Sequence, residues 1–243
     1  MSGLVDLHCH LLPGVDDGAK SLEDSLEMAR ALVDLGFSTV APSPHARPEY
    51  APRETVELRL AEVRAALERE AIPLTLGRNA ENVLDDAFLR SLGTPAARML
   101  GEGQYVLVEL PYTTPVPALL DVLFRIRTKG VAPVIAHPER CLEFERKGRA
   151  AEAVRTGALL QLDVGALTGR YGGTPKKLAR AFLEEGLYTL GATDLHAPVG
   201  ARDWVGKALV ELRARAGEQA FERLMRANPA RLLAGEALES EGD

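Results

Sequence analysis

Short apolar bursts alternate along the chain with longer stretches whose apolar residues recur at helical spacing. Leu4 to His8 reads as a first strand, and Ser21 with Asp24 is the signature of a capped helix start. Leu22, Leu26, Ala29 and Val33 mark that helix's buried stripe, and Gly36 ends it. "FSTVAP" predicts the next strand, Pro52 to Glu70 a helix with Val56, Leu60, Val63 and Leu67 on one face, and "IPLTL" a further strand. "YVLVEL", "APVIAH", "ALLQLD" and "LYTLGA" follow with the same character. About seven strands with intervening helices predict an α/β fold whose parallel sheet closes into a barrel. A doubly wound open sheet is the structural alternative. No repeat or low-complexity linker interrupts the alternation, so residues 1–243 are expected to form one domain.

Composition supports that picture: 46% hydrophobic and 26% charged residues over 243 positions suffice for a substantial core. The net charge of −6 provides no general field for a nucleic-acid backbone, although a local arginine pair could still bind one phosphate. No apolar run approaches the ~20 residues a bilayer requires, so no stable membrane insertion is expected. Nor does a basic segment followed by a long apolar one open the sequence, and the expected location is the cytoplasm. Two cysteines, Cys9 and Cys141, do not make a disulfide framework and suit a reducing compartment.

The polar residues that close or follow these strands change the picture from fold to chemistry. His8 and His10 end the first strand; residues i and i+2 share a strand face, so the pair points together while Cys9 points away. His45 follows in "APSPH", Glu81 in "GRNAEN", Glu109 closes "YVLVE", His137 closes "APVIAH", and Asp194 and His196 follow "LYTLGA". All five histidines are placed this way. In a parallel barrel the loops after the strands lie on one face, so these scattered groups would converge there. Imidazole and carboxylate together suit zinc, manganese or iron, and a carboxylate can bridge two ions, which predicts a multinuclear metal site. An isolated HxH arises by chance, and either histidine could instead donate to a backbone carbonyl in the core. The conjunction is stronger, because an ionised Glu109 inside an apolar strand is costly without a cation. Asp16 and Asp17 could form an Asp-Gly turn before the first helix, the preferred reading for Asp16 alone.

"DLHCHLLPGVDDGAK", "PSPH", "VLVELP", "IAHPER" and "ATDLHA" together resemble the bacterial tyrosine phosphatases of the polymerase and histidinol phosphatase (PHP) superfamily, which accompany capsule and exopolysaccharide biosynthesis. The match extends from residue 4 to "NPARLLAG". The resemblance implies a distorted (β/α)7 TIM-like barrel and three divalent metal ions, with manganese as the activating metal and iron or zinc as the other candidates. Carried over position by position, His8, His10, Glu81 and Asp194 would hold one ion. Glu81 would also bridge to a second beside Glu109 and His137, and Asp17, His45 and His196 would take the third. Arg140 matches an arginine that contacts the phosphate, and a guanidinium can grip two phosphate oxygens at once. Arg202 is the candidate second catalytic arginine, although it follows His196 by one residue more than in the family pattern. Arg47 could also face the mouth, with a solvated loop arginine as the blander reading, and "GALTGRYGGTP" reads as a mobile rim.

The implied activity is metal-dependent hydrolysis of phosphotyrosine on a protein such as a bacterial tyrosine kinase, with water activated near neutral pH and a phenolate leaving group that needs no strong acid. Cysteine-based tyrosine phosphatase chemistry is excluded, since Val15 and Lys147 stand where that class places its arginine after Cys9 and Cys141. A phosphatase of a small metabolite such as histidinol phosphate and a non-catalytic metal-binding module are the competing readings.

Overall fold

The computed structural model describes residues 3–238, and all its strand pairing is parallel apart from one isolated antiparallel bridge. In chain order the elements are β1 (Leu4–Asp6), α1 (Leu22–Asp34), β2 (Phe37–Val40), β3 (His45–Ala46), α2 (Arg53–Arg69), β4 (Thr75–Leu76), β5 (Glu81–Val83) and α3 (Asp86–Ser91). They continue with β6 (Tyr105–Glu109), α4 (Leu119–Thr128), β7 (Ala132–Ala136), two short 3₁₀ turns, α5 (Arg149–Arg155) and β8 (Leu159–Asp163). The last are α6 (Val164–Thr168), α7 (Gly173–Glu184), β9 (Leu190–Ala192), α8 (Ala201–Glu222) and α9 (Asn228–Leu233).

The strands form a three-stranded sheet, β1-β2-β4, and a six-stranded sheet, β3-β5-β6-β7-β8-β9. β2 with β3, and β4 with β5, are successive halves of one stave each, so the nine short strands make seven staves. Backbone bonds bridge the breaks: Ser43 N donates to Cys9 O (3.0 Å) and Glu81 N to Pro44 O (3.1 Å). The ring closes between the first and last staves. Asp194 N donates to His8 O (2.8 Å), His10 N to Leu195 O (2.9 Å), and Cys9 bridges Leu195. This is the distorted (β/α)7 barrel, and the open doubly wound sheet is set aside by that closure.

Local sequence explains the elements. Ser21 and Asp24 form the full capping box of α1, and Gly36 follows its end at φ 92°, a left-handed conformation that a β-carbon would strain. The buried face of α1 centres on Ser25, Met28, Ala29 and Leu32; Leu22 and Val33 lie at its margins. α2 buries Leu60, Val63 and Leu67 as expected. The first ladder ends at Asp6, before His8, because Asp6 turns its buried carboxylate to accept from His8 N and Thr193 N. "GALTGRYGGTP" opens with α6, and its Tyr171 ring packs 4.1 Å from the Arg140 guanidinium. Among the described residues, no helix is long and apolar enough to cross a membrane.

Candidate metal centre

At the carboxyl ends of the staves the barrel gathers all five imidazoles. His8 Nε2 lies 3.1 Å from Asp194 Oδ1 and 3.3 Å from Glu81 Oε2, and His10 Nε2 lies 3.4 Å from both oxygens. The expectation that the two histidines share a face holds: their Nε2 atoms are 3.3 Å apart. His45 Nδ1 is 3.0 Å from Glu81 Oε2 and 3.9 Å from Glu109 Oε2, and His137 Nε2 is 3.0 Å from Glu81 Oε1. Asp17 Oδ1 sits 3.5 Å from both His45 Nε2 and His196 Nε2. Glu81 is thus the hub, touching four imidazoles while only 1% exposed.

Burial and charge set the protonation of this cluster. Burial opposes protonation of His8, but the facing carboxylates of Glu81 and Asp194 outweigh it and raise its pKa to about 9. His10 is raised in the same way, helped first by Asp16. Glu81 and Asp194 are held well below the ordinary carboxylate range; burial works against this, and the surrounding imidazoles overcome it. The His196 contact pulls Asp17 down to about 2. His137 is the exception: its burial lowers its pKa and keeps it neutral.

The donor set fits divalent cations. His137 Nδ1 is buried without a hydrogen-bond partner among the described residues, an arrangement that is costly unless something else engages it. Four groups have ligand atoms within 4.8 Å of one another, the spread expected of donors ~2.0–2.3 Å from a shared ion. They are His8, His10 and Asp194; His8, Glu81 and His137; His45, Glu81 and Glu109; and His10, Asp17, His45 and His196. Glu81 occurs in two groups, as a bridging carboxylate would, and His8, His10 and His45 each occur in two as well.

Several residues that the strand pattern did not single out complete the site. Gln161 Oε1 accepts from His8 Nδ1 at 2.8 Å, which aims Nε2 at the carboxylates. Asp16 does more than make its turn with Gly18 N. It also accepts from His10 Nδ1 (2.8 Å) and from His45 N (3.1 Å). Asp163 lies 3.3 Å from Arg140 Nη1. The available signal was a buried-strand Gln and Asp inside the apolar run "ALLQLD". His137 and Asp194 both hold left-handed backbones, φ 33° and 51°, the kind of strain that clusters at functional sites.

The family model for capsular polysaccharide synthesis proteins, CpsB/CapC, matches residues 4–234. The chain belongs to the CpsB/CapC family. It is 34% identical over 197 residues to the tyrosine-protein phosphatase YwqE of Bacillus subtilis, covering 79% of this chain and 77% of YwqE. It is 27% identical over 239 residues to the tyrosine-protein phosphatase CpsB of Streptococcus pneumoniae, covering 95% and 98% of the two chains. A crystal structure of the metal-dependent tyrosine phosphatases YwqE and CpsB superposes on 97% of this chain with a TM-score of 0.89 at 28% identity.

In this CpsB/CapC chain the two candidate arginines part company. Arg140 Nη1 lies 2.6 Å from Asp194 Oδ2, and its guanidinium stands over the rings of Tyr112 (4.8 Å) and Tyr171 (4.1 Å) at the mouth. Arg202 is not at the mouth. It sits in the first turn of α8, half exposed, with Nε 2.7 Å from Asp34 Oδ2 at the end of α1. In this geometry the cleft is lined by Arg140 and Arg47, and Arg202 is not among its lining residues. Arg47 does face the cleft, paired with Glu109 rather than solvated. Cys9 and Cys141 are buried free thiols with raised pKa, the inert state of a structural cysteine.

Proposed function

We propose that this chain is a metal-dependent protein-tyrosine phosphatase. The observation that carries the reading is the convergence of five imidazoles and the carboxylates of Asp17, Glu81, Glu109 and Asp194 on one cleft, with Arg140 at its lip. Three divalent ions, manganese foremost, would be held by His8, His10, Glu81 and Asp194; by Glu81, Glu109 and His137; and by Asp17, His45 and His196. Such ions lower the pKa of water to supply the nucleophile and neutralise phosphate oxygens.

The chain's own residues do the rest. Arg140 orients the phosphate through paired donors and offsets charge as the P–O bond breaks. Its tyrosine neighbours and two acidic partners hold the guanidinium in place before substrate arrives. The cleft of ≈190 Å³ is lined in part by Tyr50 and Tyr112, aromatic faces suited to a phenyl ring. Phenolate departs readily because its conjugate acid has a pKa of ~10, so no strong general acid is required. The buried, protonated thiols offer no competing nucleophile.

The substrate in this reading is a phosphotyrosine-bearing protein, such as the tyrosine kinase of a capsule-building system. The enzyme would work in the cytoplasm as a single domain over residues 1–243. Manganese-dependent phosphate release from a phosphotyrosine peptide, measured beside histidinol phosphate, tests the substrate class. Higher kcat/KM on the peptide supports the reading; preference for histidinol phosphate favours the metabolite phosphatase, and no turnover of either favours a non-catalytic metal module.

A further inference from the structure

Beside the metal cleft lies a second, larger groove of ≈400 Å³ between the β3–α2 connection and α3. The two share a wall made by Arg47 and Tyr50, so the groove adjoins the cleft directly. Pro48, Pro52, Ala51 and Phe88 make most of its surface apolar.

Charge in the groove is one-sided. Arg98 Nη1 is buried and has no hydrogen-bond partner among the described residues. Burial and then Arg53 disfavour its charge, and Glu54 only partly offsets this. Arg53 is itself engaged with Pro95 O at 2.8 Å. The lining's carboxylate, Asp85, is committed to capping α3 through Phe88 N at 2.7 Å. Arg47, on the shared wall, is taken by Glu109. What remains is a half-buried guanidinium that lines the trough and has one donor, Nη1, uncommitted beneath its surface, a setting that favours an incoming carboxylate.

Resting on the phosphatase reading, we propose that this groove is the peptide subsite of the enzyme and that Arg98 selects substrates carrying an acidic residue close in sequence to the phosphotyrosine. The phosphoryl group is recognised in the metal cleft, and the flanking carboxylate is recognised here. Arg98 therefore governs which phosphotyrosine is dephosphorylated and takes no part in bond breaking.

The test uses the manganese-loaded full chain and a set of phosphotyrosine peptides in which one flanking position, on either side, is Glu, Gln or Lys. p-Nitrophenyl phosphate, which cannot reach the groove, reports on the centre alone. The expected result is a kcat/KM about 10-fold higher for Glu than for Gln at one flanking position, with Lys lowest, expressed mainly in KM. Arg98→Met should erase that ranking and leave p-nitrophenyl phosphate turnover unchanged, and Arg98→Lys should restore part of it. Equal rates on all peptides by wild-type enzyme would overturn the inference without need of a variant, as would a Glu preference that persists in Arg98→Met. Failure to hydrolyse p-nitrophenyl phosphate at all would instead remove the phosphatase reading, and the inference with it.

Discussion

Arg140 is held at the mouth by Asp194 and Asp163, whereas Arg202 is held at the C-terminus of α1 by Asp34. Removing Arg140 should cost a contact that strengthens as the phosphoryl group develops charge, so Arg140→Ala is expected to lower kcat by ~10²- to 10³-fold at unchanged metal content. Arg202→Ala should leave kcat untouched and change stability by at most ~1 kcal/mol, since both partners of its ion pair are more than half exposed. Steady-state kinetics with metal analysis on the two variants checks both outcomes. The motif "HPER" made Arg140 legible, because a 3₁₀ turn locks it directly after β7. Arg202 was harder to place from sequence, because one residue of register at a helix start turns a side chain by ~100° about the axis. Gln161 was invisible as a functional residue: its role arises only when closure of the barrel brings the β8 side chain to His8 at the end of the first stave. Gln161→Leu should weaken manganese binding ~10- to 100-fold by freeing the His8 ring, measurable by metal titration.

At the scale of the elements, the connection from His10 to Ala19 folds back on itself to present Asp16 and Asp17. Ala19 N donates to His10 O (3.1 Å) and Gly14 N to Ala19 O (2.8 Å). Gly18 lies so close to the first stave that a β-carbon there would sit 2.2 Å from His10 O and 2.4 Å from His10 Cβ. Gly18→Ala must therefore displace the backbone that carries His10 and both aspartates. The expected cost is ~1–3 kcal/mol of stability together with reduced metal uptake, read by thermal melting with and without manganese. The glycine in "PGVDDG" was readable as a turn residue; its close approach to His10 was not. The strand pattern likewise showed seven apolar runs but not that the second and third staves each break in two. Those breaks are filled by backbone bonds to neighbouring staves, which no local propensity encodes.

The whole molecule draws groups from Asp6 to His196 into one buried polar knot, and closure of the ring makes that knot depend on pH. His8, with an ordinary pKa of 6.5 raised to about 9, binds a proton more readily folded than unfolded. Its contribution is fully present below pH 6.5 and is lost as pH rises through about 9. Glu139, pushed by burial and the nearby Asp163 from 4.5 to about 8, acts in the same direction. Glu81, Asp194, Asp16 and Asp17 have depressed values and are ionised in both states throughout this window. Metal-free protein should therefore lose thermal stability between pH 6.5 and 9. Manganese should reverse the loss, because bound ions take over the charge compensation supplied by imidazole protons. Melting temperatures across that range, with and without manganese, check the sign. The central claim is metal-dependent phosphotyrosine hydrolysis without a cysteine nucleophile. The most direct measurement is phosphate release from a phosphotyrosine peptide by metal-stripped, iodoacetamide-treated chain as manganese is added back. The account predicts no release before addition and a rate that climbs to saturation with manganese. Release that persists in chelator, or that alkylation abolishes despite manganese, would contradict it.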